Sequence, residues 1–320
     1  MNRLDSMGVL LAVVDAGSLS AAGRKLGMPL ATVSRKISEL ETALSAQLLI
    51  RSTRQLTLTD AGRGYVTACR RILDDVQEAE RAATGEYSAP RGEMIVTAPV
   101  LFGRLHVLPV LVEFLRVYPE VNLRLELGDR VTNILEDHID LALRIGPLPD
   151  SSLIATGLGS IRRVVCASPG YLSEHGRPRE PRDLGTHQCI SFEFFTPVNS
   201  WHFKNDQADL VVPIHPRLVV STAEAAIDAA VAGVGVTRVL SYQVEPALRE
   251  GHLELLLQTF EPAPIPVSFV YSNQGRLPLK LRALVDFAAP RLRSRLQIAE
   301  TALKSPERQR ATKDRGRKRR

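Results

Sequence analysis

The chain has 320 residues, 44% hydrophobic and 24% charged, which suits two or three globular domains. No apolar run reaches the ~18 residues of a membrane span. The N-terminal run Met7–Val14 is short, is followed by Asp15 and has helical spacing (Leu4, Met7, Leu11, Val14); it reads as a core helix and not a signal peptide, so a cytoplasmic location is expected. The net charge of +6 sits in the tail, where Lys304–Arg320 carries nine basic residues against two acidic ones, leaving −1 for the rest.

In chain order, residues 1–58 read as a compact helical unit with a hairpin. A first helix over Arg3–Ala16 is closed by Gly17. Ser18 or Ser20 caps a second helix, "SAAGRKL", which ends at Gly27. Pro29 suits the first turn of a third helix. Its apolar positions Val33, Ile37, Leu40 and Leu44 form one stripe. "LLIRSTRQLTLT" reads as strand, turn, strand, so the whole is a helix-turn-helix with a wing.

Thr59 caps a long helix over 59–84. Ala61, Tyr65, Ala68, Ile72, Val76, Ala79 and Ala83 form an apolar seam on an otherwise charged helix. A lone helix has no core of its own to cover that seam, so a second copy of the chain is expected to pair there. The breaker-rich segment 85–92 is a hinge. Strands and helices then alternate over 93–302: strand Met94–Thr97, helix Phe102–Tyr118, strand Val121–Leu127, helix Val131–Asp137, strand Ile139–Ile145, strand 161–167, and helices Ser168–His175 and Ala223–Ala232. The pattern is α/β with a mainly parallel sheet. Chain crossings near 161 and 266 split it into two lobes, lobe I (93–161 and 267–302) and lobe II (162–266), with a cleft between. The tail 303–320 has no apolar periodicity and is expected to be disordered, either attracting nucleic acid or simply solvated.

The outer stripe of the third helix poses the functional question. Ala31, Ser34, Arg35, Ser38 and Thr42 are small, hydroxylated and carry one arginine, where an ordinary solvent face mixes Glu and Lys. A helix entering a DNA major groove needs small residues for close approach and donors for phosphates and base edges. Leu30, Ala31, Thr32, Ser34, Arg35 and Ser38 are therefore the DNA-binding candidates, with Arg51 and Arg54 of the wing following the backbone or minor groove. A plain three-helix bundle is the alternative reading of the same helices.

The stretches "DAGSLSAAGRKLGMPLATVSRKISELE" and "LLIRSTRQLTLTDAG", then "VTAPVLFGRLHVLPVL", "DLALRIGPLPDSSL", "RRVVCASPGYL" and "AAVAGVGV", resemble the LysR-type transcriptional regulators over about residues 1–295. The resemblance implies a multidomain α plus α/β chain: a winged helix-turn-helix, a dimerising linker helix and a two-lobed effector domain like the type 2 periplasmic binding proteins. It implies a small-molecule effector, a homodimer through the linker helix and a homotetramer. The DNA it implies is double-stranded, a dyad operator with a T…A core. RNA polymerase is a candidate partner, and the location is cytoplasmic, on the nucleoid. By carry-over, DNA contacts fall on Leu30, Ala31, Ser34, Arg35 and Arg54. Three residues depart from the family pattern: Gly23 for alanine inside helix two, Ser45 for a helix-ending glycine, and Met28 for the Ser or Thr cap before Pro29. Gly23 and Met28 are each expected to cost about 1 kcal/mol.

The cleft is the second candidate site. Ligands of open α/β sheets bind beyond the carboxyl ends of strands, near helix N-termini. "TAPVLFG" nominates Ala98, Pro99, Val100 and Phe102. "VVSTAEAA" nominates Ser221 and Thr222, with Ser221 and Glu224 fitting a capping box. Asp129, Arg144, Ile145, Phe195 and Thr196 complete the set, with Arg144 equally readable as a surface ion-pair residue. Free N–H groups at two helix starts would favour an anionic effector. Nothing nominates a catalytic residue, a metal or a cofactor: the seven histidines lack metal spacing, and "GVG" at 233–235 lacks the rest of a dinucleotide fingerprint. Cys69, Cys166 and Cys189 read as buried thiols, with a Cys166–Cys189 redox pair as the alternative. An α/β enzyme or a transporter's solute-binding protein fits the remainder less well than a regulator does.

Overall fold

The computed structural model describes residues 2–51, 56–84, 89–129, 134, 137, 139–148, 153–192, 199–205, 208–272 and 277–303. The chain divides into two compact units, residues 1–93 with 120–122, and residues 94–119 with 123–320.

In the first unit, helices α1 (Arg3–Ala16), α2 (Leu19–Leu26) and α3 (Leu30–Leu44) are followed by antiparallel strands β1 (Leu49–Arg51) and β2 (Leu56–Leu58) and by the long helix α4 (Asp60–Thr84). Leu10, Val13, Ala22, Val33, Ile37, Leu40 and Leu49 form the buried centre, so the apolar stripe of α3 faces inward. Ser18, not Ser20, caps α2, its Oγ accepting the Ala21 N–H at 3.1 Å. The cap of α3 is Pro29 and not Met28: the Pro29 carbonyl accepts from the N–H groups of Thr32 and Val33, and no side chain caps this end. Gly23 has a reason beyond helix propensity. A methyl group there would stand 2.8 Å from the carbonyl oxygen of Met28, where the chain turns into α3. Ser45 ends α3 at φ 51°, the left-handed region in which a side chain is strained.

The start of α4 is capped by Thr59, whose Oγ1 accepts the Gly62 N–H at 2.9 Å. Its seam is partly covered within the chain. Val66 and Cys69 are buried in the same core as α1, and Tyr65, Ile72 and Leu73 pack against it. Arg70 pairs with Asp15 at the end of α1 and with Glu93 at 3.4 Å. The expectation of a wholly uncovered seam is thus corrected: α1 covers its first turns. Val76 is half-buried and Ala79 exposed beyond them.

The second unit holds two five-stranded sheets. The first, in spatial order β4-β3-β5-β14-β6, comprises β3 (Gly92–Ala98), β4 (Val121–Leu127), β5 (Leu141–Ile145), β6 (Leu153–Ile161) and β14 (Ile265–Ser272). The second, β11-β8-β12-β7-β13, comprises β7 (Arg163–Ala167), β8 (Cys189–Phe192), β11 (Pro216–Val220), β12 (Val236–Leu240) and β13 (Glu254–Leu256). A separate hairpin of β9 (Ser200–Asn205) and β10 (Ala208–Pro213) was not expected from the sequence. Both large sheets are mixed and not mainly parallel. β7 and β14 each arrive by a crossing from the other sheet, enter from the opposite end, and pair antiparallel with both neighbours. Helices α5 (Val100–Phe102) and α6 (Leu108–Val117), joined by a π turn over Gly103–Val107, and α10 (Leu279–Leu303) serve the first sheet. Helices α7 (Pro169–His175), α8 (Ala223–Val231) and α9 (Ser241–Arg249) belong to the second lobe. Of the helix expected over 131–137, only Ile134 and Asp137 are described residues.

The second sheet is covered on both faces. Val165, Ala167, Cys189 and Val236 pack with Trp201 and Phe203 of the hairpin. Val164, Cys166 and Ile190 pack with Ala226, Ile227 and Ala230 of α8 and Val244 of α9. Cys166 and Cys189 therefore lie on opposite faces, on strands separated by β12. Burial pushes each thiol up to about 12, and both are free. A redox pair between them is ruled out by this placement.

Among the described residues the lobes meet around Arg162 and around Phe102. Arg162, the single residue between β6 and β7, pairs with Glu261 in the returning crossing at 3.1 Å and with Glu300 of α10 at 3.1 Å. Ser241 accepts the Arg162 N–H at 3.1 Å and its hydroxyl donates to Glu300 at 3.1 Å. Elsewhere Phe102 of α5 meets Tyr242 of α9 edge-on, ring centroids 5.1 Å apart, with His106 4.7 Å from Phe102.

Candidate functional site

The outward stripe of α3 is solvent-facing. Leu30 is 51% exposed, and Ala31, Arg35 and Ser38 are exposed, with Thr32 and Ser34 half-buried beside them. Arg35 lies along the helix surface, its Nη1 2.9 Å from Glu39 Oε1, with the two side chains 66% and 41% exposed. Such an exposed i,i+4 pair contributes only about 0.3–0.5 kcal/mol, so the guanidinium is readily exchanged to another acceptor. Lys36, one residue on, turns away to Asp5 of α1. The Glu41 carboxylate accepts the backbone N–H groups of Leu48 and Leu49 at 2.8 and 3.0 Å, which sets where β1 begins relative to α3. The sequence reading missed that clamp, because its partners lie seven and eight residues away and outside the helix. It also passed over Arg24 and Lys25, exposed in the last turn of α2. Arg54 and the side chain of Arg51 lie outside the described residues.

In the second unit, Ala98, Pro99, Val100, Phe102 and Asp129 come together. The Gly128 N–H donates to the Ala98 carbonyl at 3.0 Å, and Asp129 Oδ1 accepts the Val100 N–H at 3.0 Å. The start of α5 therefore already has a carboxylate on it, and the expectation of free N–H groups there is corrected. At α8 the cap is Thr222 and not Ser221: its Oγ1 accepts the Ala225 N–H at 3.2 Å, and Glu224 falls in the first turn. Arg144 and Ile145 are half-buried at the end of β5, opposite Ser268 and Val267 of β14. Burial lowers the Arg144 pKa. Phe195 and Thr196 lie outside the described residues.

Tyr242 and His106 are the residues the sequence reading did not name. Burial raises the Tyr242 phenol, and the carboxylates of Asp129 and Glu224 raise it further. Burial, then the charge of Arg295, pushes His106 down to about 4, so the ring is neutral near pH 7. A cavity of about 440 Å³ lies apart from all the anticipated ligand residues, lined in part by Ser168, Tyr171, Glu174, Val231 and His252. No cluster of three potential metal ligands occurs among the described residues, and no single helix among them is long and apolar enough to cross a membrane.

A three-helix unit with a strand pair, a small polar outer helix and two mixed-sheet lobes is matched by known proteins. The family model for the bacterial regulatory helix-turn-helix protein, lysR family, matches residues 4–63, and that for the LysR substrate binding domain matches residues 88–293. The chain belongs to the LysR family.

An HTH-type transcriptional regulator of Xanthomonas campestris pv. campestris is 35% identical over 89% of this chain and 84% of its own length. The HTH-type transcriptional activator AaeR of Escherichia coli is 31% identical over 89% and 93%. The structure of CrgA, a LysR-type transcriptional regulator from Neisseria meningitidis, superposes with a TM-score of 0.58 at 32% identity, covering 90% of this chain and 98% of that one. This LysR-type protein is accordingly a DNA-binding transcriptional regulator with a substrate-binding domain for a small-molecule effector, and not an enzyme. Regulators of this type bind DNA and small effectors and assemble into oligomers.

Proposed function

We propose that this regulator reads a dyad operator with a T…A core through Leu30, Ala31, Thr32, Ser34, Arg35 and Ser38 of α3, with Arg51 and Arg54 of the wing following the backbone. The observation that carries the reading is the outer face of α3: exposed, small, and bearing one arginine held only by a weak surface pair. Two copies pair through the distal part of α4, where Val76 and Ala79 extend the seam past the turns that α1 covers. Dimers associate into a tetramer on DNA on the nucleoid, where RNA polymerase is a further partner.

The effector, a small anion, binds between the lobes against Ala98, Pro99, Val100, Phe102, Arg144, Ile145 and Thr222. Helix starts no longer support the anionic assignment, because Asp129 and Thr222 already satisfy N–H groups there. Half-buried Arg144 does support it. The effector shifts the regulator between DNA-bound arrangements in proportion to its differential affinity for them.

Selection of random duplex DNA by the full-length protein at physiological salt tests the operator reading. Enrichment of an inverted repeat centred on a T…A pair is the expected result. Binding without any enriched sequence refutes base readout by α3 and leaves only phosphate attraction.

A further inference from the structure

Three arginines cluster where the chain enters the second lobe, and they are treated differently. Arg162 is neutralised by Glu261 and Glu300. Its neighbour Arg163 points to the other side of the strand and has no carboxylate partner among the described residues. The same is true of Arg238 on the adjacent strand.

The register places these two together. β7 and β12 are antiparallel, with Leu240 opposite Arg163 and Arg238 opposite Val165. Arg163 and Arg238 are thus diagonal neighbours on one sheet face, within reach of each other for long side chains. That face is the one holding Val165, Ala167 and Val236 beneath the β9–β10 hairpin. Arg238 is 6% exposed. Its Nη1 donates to the His202 carbonyl at 2.9 Å, and its guanidinium carbon lies 5.4 Å from the centre of the Trp201 ring. Among the described residues that is its one hydrogen bond, out of five available donors. Burial and then the charge of Arg163 push Arg238 down to about 9, and burial also lowers Arg163.

Two guanidiniums on one sheet face, one buried and one half-buried, are costly unless an anion joins them. Their position suits one. β8 and β12 run parallel, with Thr237 beside Ile190. Arg238, in the middle of β12, therefore sits next to buried Ser191, and Arg163 lies opposite Leu240 at the carboxyl end of β12, the edge at which α/β sheets take ligands. Planar guanidiniums grip carboxylate or phosphate oxygens in pairs.

We propose that Arg163 and Arg238 form the anion-binding element of the second lobe and take the oxyanion group, carboxylate or phosphate, of a small-molecule effector. This rests on the reading of the protein as an effector-controlled regulator and gives the effector its charge.

The test is calorimetric titration and thermal unfolding of the full-length protein with inorganic phosphate, succinate and benzoate, with benzamide as the uncharged control. At least one oxyanion should bind, benzamide should not, and Arg163→Gln and Arg238→Met should each weaken that binding at least tenfold. Without anion, both variants should unfold at the wild-type temperature or above it, because each removes an uncompensated charge. A purely structural role predicts the reverse: variants that unfold well below wild type and keep the wild-type affinity. That outcome overturns the proposal. So does the absence of binding by all three oxyanions. DNA binding by the same samples separates the two readings. Oxyanion binding lost in the variants, with DNA affinity unmoved by oxyanion in wild type, leaves the site standing and removes its role as an effector site. Sequence-specific DNA binding that responds to an oxyanion equally in wild type and both variants overturns the site and leaves the regulator intact.

Discussion

The two units keep their functional groups in opposite environments. On α3, Arg35 and its neighbours stand in water, and the packing beneath them is complete without them. Between the lobes, Phe102, His106 and Tyr242 are buried or half-buried, so whatever binds there acts on groups that also hold the domain together. A surface that meets a long polyanion gains from being preformed, because its attraction is screened and depends on salt. A site for a small molecule gains from desolvation, because low dielectric strengthens each contact. Damage to the first unit's face should therefore appear as lost DNA binding at constant stability. Damage to the aromatic contact between the lobes should appear as lost stability.

The strongest challenge to this contrast is Phe102→Ala. The ring is fully buried between His106 and Tyr242, and its loss should cost about 3–5 kcal/mol in urea unfolding of the second unit. A change below about 1 kcal/mol would show that the lobes do not depend on this contact. His106 sharpens the same side. It stays neutral in the folded protein down to about 4, whereas in the unfolded chain it takes a proton near the ordinary histidine value of 6.5. Stability should fall as pH drops from 6.5 toward 4, by roughly 2 kcal/mol after allowance for partial exposure, and recover above 6.5. Thermal melts of His106→Phe over that range should lose the slope.

On the DNA-facing side, Arg35→Ala should weaken binding to the selected operator by about 1–3 kcal/mol with an unchanged melting temperature. Equal affinity and equal sequence preference would remove Arg35 from base readout. Ser45→Gly should stabilise the first unit by about 1 kcal/mol, because glycine relieves the left-handed strain at φ 51°. Glu39→Gln should have the smallest effect, tightening DNA binding by about 0.3–0.5 kcal/mol as Arg35 loses its competing acid.

What could be read from the sequence was local. The apolar stripe of Val33, Ile37 and Leu40, the caps at Ser18 and Thr59 and the stop at Gly17 depend on neighbours within a few residues, and all appear in the structure. The errors are long-range. Asp129 reaches Val100 across 29 positions and occupies the helix start that looked free. The β9–β10 hairpin alternates Trp201 and Phe203 against Val212, a period-2 signal, but nothing local says that it roofs the second sheet. Mixed sheets follow from crossings, which no window of a few residues contains. The pairing of Arg163 with Arg238 needs the β7–β12 register. Gly23 looked like a weakness in a helix until the Met28 carbonyl was seen beside it.

Arg162 has a mechanical meaning. One residue joins the two sheets on the outgoing path, and its guanidinium ties that path to the return crossing at Glu261 and to α10 at Glu300. Three segments from both lobes are fastened at one point by charges that are largely shielded from water. Sliding one lobe past the other would break the Arg162–Glu300 pair, whereas rotation about that point would keep both pairs. The linkage therefore resists sliding and leaves rotation about Arg162 as the motion that keeps it intact. In such a rotation displacement would be smallest beside Arg162 and would grow with distance from it, so closing a small gap near the pivot would give the widest movement at the far edges of the domain.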